Sequence, residues 1–380
     1  MNAESVKFGV IGCGLMGLEF ASAAARWCHL TGNISRPEIV AVSDIHPEAL
    51  EWFKQHVRPK LVTQDYREVL ADPEVQAVYC AVPHNLHEEI YCAAIGAGKH
   101  LMAEKPFGID LPSAERILAT IHEHPNAFVR CSSEFPFFPA AQRIAKMLAN
   151  GEFGRIIEVR ASFLHSSDLD PEKPINWKRR IASCGEYGCM GDLGLHVVHL
   201  PFRFGLMPKN VRALLSKIVA TRPDGHGGQA PCETWDNAIL ACESTAGFPM
   251  IFETKRVAPG DMNTWSIRIL GTRNSAEFST KYPKTLRTMP FDPTRPQAWV
   301  EEDVGSQSVY PTLTGGIFEF GFSDAILQMW AAFLDEMTGG KPEFGCATPE
   351  EALASHRLFA AALASQGSSA TVPVEERVSV

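Results

Sequence analysis

The run Val6-Lys7-Phe8-Gly9-Val10-Ile11-Gly12-Cys13-Gly14-Leu15-Met16-Gly17 decides the fold. Residues 6–11 are mostly apolar and partly β-branched, which suits a buried strand, and Leu18-Glu19-Phe20-Ala21 beyond the glycines reads as helix. A G-x-G-x-x-G between a strand and a helix is the fingerprint of a dinucleotide site. Gly12 permits the tight turn, Gly14 lets a pyrophosphate approach the backbone, and Gly17 lets the helix pack close to the sheet. The phosphates then rest on a helix N-terminus, where free N–H groups and the helix dipole favour anions. Gly12, Gly14, Leu15, Met16 and Gly17 are therefore candidate cofactor contacts, against the plainer reading of a glycine-rich turn in some other α/β domain.

Working outward, a second strand at 39–43 ends at Asp44, after an extended loop over 29–37. Asp44 suits the ribose hydroxyls of a dinucleotide. As a helix cap it is awkward, because Pro47 fits better at the first helical position with His46 as cap. That reading leaves the Asp44 carboxylate free. No Lys or Arg lies between Val40 and Leu50 to meet a 2′-phosphate, so the expected cofactor is NAD. A third strand at 77–82 leads into Pro83-His84-Asn85-Leu86-His87 and a helix. Pro83, His84 and His87 lie near a strand's carboxyl end, where ligands bind in open α/β sheets, although capping the helix explains the histidines equally simply.

The next strand, at 101–103, carries His100-Leu101-Met102-Ala103-Glu104-Lys105-Pro106. Proline holds Lys105 out of the α region, and the Lys105–Pro106 bond is a candidate cis peptide. Glu104 and Lys105 are either site residues or an ordinary solvated pair. A helix over 112–122 closes this half. Strands alternating with helices predict a parallel, doubly wound Rossmann sheet over residues 1–125.

Residues 126–380 change character. A strand at 127–131 leads to Glu134-Phe135-Pro136-Phe137-Phe138-Pro139 and a helix over 140–149. Long β patterns at 155–163, 211–220, 235–242, 249–255 and 265–270 follow without regular helices between them, which predicts an α+β domain with a mostly antiparallel open sheet. The stretch 291–313 reads as a long loop, 324–337 and 349–364 as closing helices, and the tail from 365 as loose.

With 380 residues the chain suggests two domains, and its 45% hydrophobic and 21% charged residues are globular values. A net charge of −9 without a basic arm argues against nucleic acid and anionic membrane as partners. No apolar run is long enough to span a bilayer, and the first residues lead into a strand with no secretory pattern. Ten cysteines lack any Cys-x-x-Cys, so no metal framework is expected and the chain reads as cytoplasmic and reduced.

The sharpest signal in the second half is Gly191-Asp192-Leu193-Gly194-Leu195-His196-Val197-Val198-His199. On a helix Asp192 and His196 share a face. Three readings stand. Asp192 caps the helix, or Asp192, His196 and His199 bind a metal, or a carboxylate and an imidazole form an acid/base pair of the kind alcohol dehydrogenation needs. Between the first long strand and this helix lies Ile175-Asn176-Trp177-Lys178-Arg179-Arg180. Trp177 suits stacking on a sugar face. Arg179 or Arg180, with Lys178, suits an anionic substituent, or else the run is a solvated basic turn.

Together the glycine motif, Ala97-Gly98-Lys99-His100 with Glu104-Lys105-Pro106, and Gly191-Asp192-Leu193-Gly194-Leu195-His196 resemble the Gfo/Idh/MocA oxidoreductases, and the resemblance runs over nearly the whole chain. It implies a Rossmann domain with NAD or NADP, a C-terminal open-sheet domain that often mediates a dimer or tetramer, and sugars or cyclitols as substrates. By motif, Lys105 orients the substrate, Asp192 supports the site and His196 handles the proton. Where relatives carry an Asn-x-Arg-Phe-x-Pro-like run, this chain has Glu134 first and Pro136 at the arginine position, and Glu134 joins the candidate substrate contacts. The expected activity is hydride transfer from a carbohydrate or cyclitol hydroxyl. The alternatives are a glycosidase that oxidises and re-reduces its substrate around retained NAD, and a non-catalytic sensor, which has no need of Lys105, Asp192 and His196.

Overall fold

A computed structural model describes residues 5–305 and 307–375, so the expected approach to the first strand from residue 1 lies outside the described residues up to Ser5. Six strands form the first sheet: β1 (Ser5–Ile11), β2 (Arg36–Ser43), β3 (Leu61–Thr63), β4 (Ala77–Cys80), β5 (His100–Ala103) and β6 (Val129–Cys131). Their order is β3-β2-β1-β4-β5-β6 and every pairing is parallel, the doubly wound Rossmann arrangement. The connections carry α1 (Leu15–Ala25), α2 (Pro47–His56), α3 (Tyr66–Ala71), α4 (His87–Gly96) and α5 (Leu111–Glu123). His46 caps α2 with Pro47 at its first position, as the sequence suggests. β6 pairs with β5, so the parallel sheet runs on to Cys131, past the expected boundary at 125.

After α6 (Pro139–Ala149) comes a nine-stranded sheet whose middle is β7 (Ile156–His165). The other long strands are β8 (Pro208–Ser216), β11 (Asn237–Ser244), β12 (Pro249–Lys255) and β13 (Asn263–Gly271), with the hairpin β9 (Thr221–Pro223) and β10 (Gln229–Pro231) set apart as a two-stranded sheet. All pairings in the large sheet are antiparallel except β12 with β7. Between β7 and β8 run α7 (Ile181–Cys184) and α8 (Cys189–Arg203), and α9 (Phe322–Met337) and α10 (Pro349–Ser368) follow the sheet.

Two expectations are corrected at the sheet's edges. The region read as a loop over 291–313 holds a short strand. Past β14 (Ser275–Ser279) and β15 (Thr285–Thr288), β16 (Val300–Asp303) pairs with β15, and Glu301 meets Arg287 across the pair at 3.4 Å. Its charged residues hide the strand pattern, as suits a guarded edge. Nor is the tail loose from 365 to 375, its last five residues lying outside the described ones. Ser365 is buried, its Oγ accepts from Ala213 N (3.0 Å) and donates to Ala370 O (2.6 Å), and β17 (Val372–Pro373) pairs with β8.

The C-terminal helices return to the first sheet. Trp330 of α9 packs on Phe20 (3.9 Å between ring centroids), Tyr79 (4.9 Å) and Phe8 (5.8 Å). Arg130 of β6 donates to Glu336 of α9 at 2.7 Å. These contacts fix α9 against the first sheet.

Candidate active site

At the head of α1 the glycines are used as their positions demand. Gly12 has φ +95°, and a Cβ there would lie 2.3 Å from Ala81 O; one on Gly17 would lie 2.4 Å from Gly12 O. Gly14 is different, because a Cβ there would meet nothing within 4 Å. Protein packing explains Gly12 and Gly17, and leaves Gly14 as the one whose open space suits an approaching ligand. No side chain caps α1 and no acidic residue sits in its first turn, so its N-terminal N–H groups face out unscreened, with Leu15 beside them 73% exposed. Asp44 is not free, however. Its Oδ2 accepts from Cys13 N (2.7 Å) and its Oδ1 from His46 N (2.8 Å), so it ties the glycine loop to the start of α2. Each oxygen keeps a second lone pair for a ribose hydroxyl. This cradle fits the diphosphate and ribose of NAD.

The Lys105–Pro106 peptide is cis. The turn is clamped by His87, whose Nδ1 faces Pro106 O (2.7 Å) and Nε2 faces Val82 O (3.0 Å). His87 is sealed from solvent, burial pulls its pKa down to about 4, and with both ring nitrogens against carbonyl oxygens it has none left for a cofactor. His84 is likewise buried, with Nδ1 3.0 Å from Cys184 O and its ring against Trp177 (4.8 Å), so it ties α7 to the strand end. The Glu104 carboxylate points inward and accepts from Tyr79 Oη (2.7 Å) and Ser132 Oγ (2.6 Å). As side chains, then, His84, His87 and Glu104 shape the site rather than line its cofactor face. Pro83 is part-exposed beside them.

Lys105 reaches across to α8, where its Nζ donates to Asp192 O (2.7 Å) and Oδ1 (3.0 Å). Lys178 Nζ donates to both Asp192 oxygens (3.1 and 3.3 Å), and the Arg256 guanidinium lies against Oδ2. Three cations thus converge on one carboxylate whose side chain is only 2% exposed. Burial, then the neighbouring Arg256 and Lys105, press Lys178 well below the usual ammonium range, and burial lowers Lys105. Gly191 and Gly194 owe their smallness to protein neighbours. A Cβ on Gly194 would strike the Phe359 ring of α10 at 2.3 Å, and one on Gly191 would sit 3.3 Å from Tyr187.

The basic run is placed differently from its reading. Arg179, expected to meet an anionic substituent, is buried and pairs with Asp236 (2.6 Å) and Asp168 (3.2 Å). Arg180 is exposed at the head of α7. Lys178 is the member of the run that faces Asp192, with Trp177 part-exposed next to it.

His196 also departs from expectation. Its carboxylate neighbour is Glu134, 3.6 Å from Nδ1, while Asp192 is engaged by the cations. Phe135 and Phe163 meet its ring edge-on (5.3 and 5.4 Å), and Trp265 Nε1 donates to its carbonyl (2.8 Å). Burial, and then the charge of Lys105, hold His196 well below the ordinary histidine range. His165, at the end of β7, is lowered to about 4 by burial and by Arg256. His199 turns away, with Nε2 3.3 Å from Arg203 and 3.8 Å from Glu351, so Asp192, His196 and His199 do not converge on a common ion. Among the described residues no group of His, Cys, Asp and Glu is arranged to hold a metal. Sequence reading missed Arg256 and His165, which sit at strand ends with no local pattern to mark them.

Family models match both halves of the chain. Residues 6–130 match the oxidoreductase family with an NAD-binding Rossmann fold, and residues 141–277 match the GFO/IDH/MocA C-terminal domain. The chain belongs to the Gfo/Idh/MocA oxidoreductases. This family member is 26% identical over 290 residues to levoglucosan dehydrogenase of Pseudarthrobacter phenanthrenivorans, covering 73% of this chain and 74% of that one. It is 27% identical to glucose-6-phosphate 3-dehydrogenase of Bacillus subtilis, over 74% and 76% of the two chains. A levoglucosan dehydrogenase structure in complex with NADH and L-sorbose superposes with a TM-score of 0.88 at 22% identity, covering 98% of this chain and all of that one, which shows a shared fold. The protein is an NAD-binding oxidoreductase. Among the described residues no helix is long and apolar enough to cross a membrane.

Proposed function

We propose that this oxidoreductase removes hydride from a ring CH–OH of a sugar or cyclitol, with Lys105, Asp192 and His196 as the working residues. The observation that carries this reading is the joint placement of the three. Lys105 is tied to Asp192 at 3.0 Å, and His196 sits one helical turn further along α8 on the same face. When bound, NAD supplies the hydride acceptor. Asp192 holds Lys105 in place, and the Lys105 ammonium orients the reacting hydroxyl and stabilises charge developing on its oxygen. His196, kept neutral by burial, accepts the hydroxyl proton on Nε2. The names of the two dehydrogenases above support a carbohydrate, and part-exposed Trp177 offers a ring face for one. Lys178 is the cation placed to meet an acidic substituent. The test is a panel of sugars and cyclitols, neutral and acidic, followed for NADH absorbance and separately for sugar release. Sugar release without net NADH would replace dehydrogenation by redox-neutral glycoside cleavage, and no turnover of any ring polyol would remove the substrate assignment.

The same reading sets the cofactor preference. A carboxylate at Asp44, fixed at the end of β2 with no nearby Lys or Arg, accepts from ribose hydroxyls and repels a 2′-phosphate. NADH is expected to bind at least roughly tenfold more tightly than NADPH, the scale of a like-charge clash. Fluorescence titration with both cofactors measures it, and equal affinities would take that role from Asp44.

Two broader readings belong here. On one face of the nine-stranded sheet exposed Leu214 pairs with Ile239 and Ala241 with Ile251, flanked by Arg212, Glu253 and Arg160, a mixed apolar and charged surface that supports a homo-oligomer, a dimer or tetramer, measurable by sedimentation. Free cysteines, most of them buried as small apolar groups, support a reducing, cytoplasmic setting.

A further inference from the structure

Glu134 opens the short turn Phe135–Phe137, and its side chain is sealed inside the protein. Its Oε2 has no hydrogen-bond partner, and neither has His196 Nδ1, 3.6 Å away. Two buried polar atoms left unpaired are costly, and here each is the other's nearest remedy. Phe135 and Phe163 meet the imidazole edge-on, and among the described residues no side chain lies within hydrogen-bond distance of Nδ1.

We infer that Glu134 is the positioning residue for His196: its carboxylate accepts the Nδ1 proton and so keeps the Nε2 lone pair open to the substrate hydroxyl. This rests on the reading of His196 as the proton acceptor. In the oxidation the C–H bond gives up its electron pair as hydride to the bound nicotinamide, and the O–H bond breaks with its proton passing to Nε2. The imidazolium is stabilised by the Glu134 carboxylate until the proton leaves to water. A protonated Glu134 gains an O–H, which donates to Nδ1 in the ring's other tautomer. The ring then carries its hydrogen on Nε2 and cannot accept another, so the site is off.

The charged surroundings place this switch near neutrality. Glu134 faces Glu104 and Lys105 from the turn after β5 and Glu19 from α1, and burial followed by Glu104 raises it to about 7. His196 is surrounded by Lys105, His199, His165 and Lys178, and burial keeps it well below its usual range. An acid limb near pH 7 in alcohol oxidation therefore belongs to Glu134 and not to the imidazole.

The variant Glu134→Gln keeps the shape and cannot take a proton. Its kcat is expected to fall roughly tenfold or more with KM little changed, and the acid limb is expected to vanish, leaving a low, flat profile between about pH 6 and 8. Independently of activity, the cofactor-free protein labelled at glutamate carboxyl carbons is expected to show a resonance titrating at about 7 that Glu134→Gln lacks. A limb retained in Glu134→Gln overturns the inference. So does the absence of any glutamate carboxyl titrating above about pH 6 in the wild type, a result that stands whether or not the variant folds. A His196→Ala protein that keeps wild-type turnover would sink the acceptor role itself. An inactive His196→Ala beside an unchanged Glu134→Gln profile would remove Glu134 alone.

Discussion

Replacing Asp192 by alanine is expected to destabilise the fold by about 3–5 kcal/mol, the range for breaking a buried ion pair from one side. Asp192 is the shared acceptor of Lys105 and Lys178 and the contact of Arg256, at 2% side-chain exposure. Removing it leaves three positive groups confined together with their common counter-charge gone. Mutual repulsion and lost solvation then act in the same direction. Chemical denaturation of the variant against the wild type measures the loss. A change below about 1 kcal/mol would mean that the cations simply relax into solvent, as surface pairs do. The activity should fall as well, by roughly 10²-fold or more, because Lys105 loses the carboxylate that aims it. Asp192→Asn separates the two effects. It keeps the volume and one acceptor oxygen, so the lost charge, not the cavity, accounts for what remains.

What was readable in the chain follows from where the constraint lies. The first sheet was legible because its signals are local. Gly12 needs its positive φ and Gly17 its missing Cβ within a few residues of the strand that dictates them, and Pro47 marks the start of α2 by its own geometry. Lys105 and Asp192 stood out through the proline and glycines beside them, although Gly194 proved to make room for Phe359 and not for a ligand. The misreadings all turn on long-range contacts. Lys178, Arg179 and Arg180 are consecutive cations in and after a tight turn, and successive residues of such a turn point in different directions. Nothing in the run tells that Arg179 finds Asp236, 57 residues on, while Lys178 finds Asp192. The assignment of Asp192 to His196 used helical spacing alone, which places two side chains on one face without saying which partner each prefers. Lys105 after β5, Lys178 of the basic turn and Arg256 just after β12 claim Asp192, and Glu134 is what remains for His196. β6 was misplaced for a similar reason. A three-residue strand reads the same whether it ends one sheet or begins another, and only its pairing with β5 decides.

His196→Ala is expected to lower kcat by roughly 10²-fold or more while the protein keeps its fold and its affinity for NADH. The fold should survive because Nδ1 stands 3.6 Å from Glu134, too far for a bond on which the fold depends, and the bond from Trp265 goes to the backbone carbonyl, which alanine retains. The cavity left between Phe135 and Phe163 costs some stability, but the change also removes a buried Nδ1 that has no partner within hydrogen-bond distance. Cofactor affinity should hold because the cradle at Gly14 and Asp44 involves no atom of α8. The loss therefore belongs in the chemical step, where no group is left to take the hydroxyl proton as hydride departs. Stopped-flow turnover with the best ring polyol, compared with NADH titration of the same protein, separates the two quantities. Added imidazole offers a further check, since a base that diffuses into the vacated space should restore part of the rate to His196→Ala and none to Asp192→Ala, which lacks positioning and not a base. A variant that binds NADH weakly and turns over each bound cofactor at the wild-type rate would place His196 in cofactor binding instead.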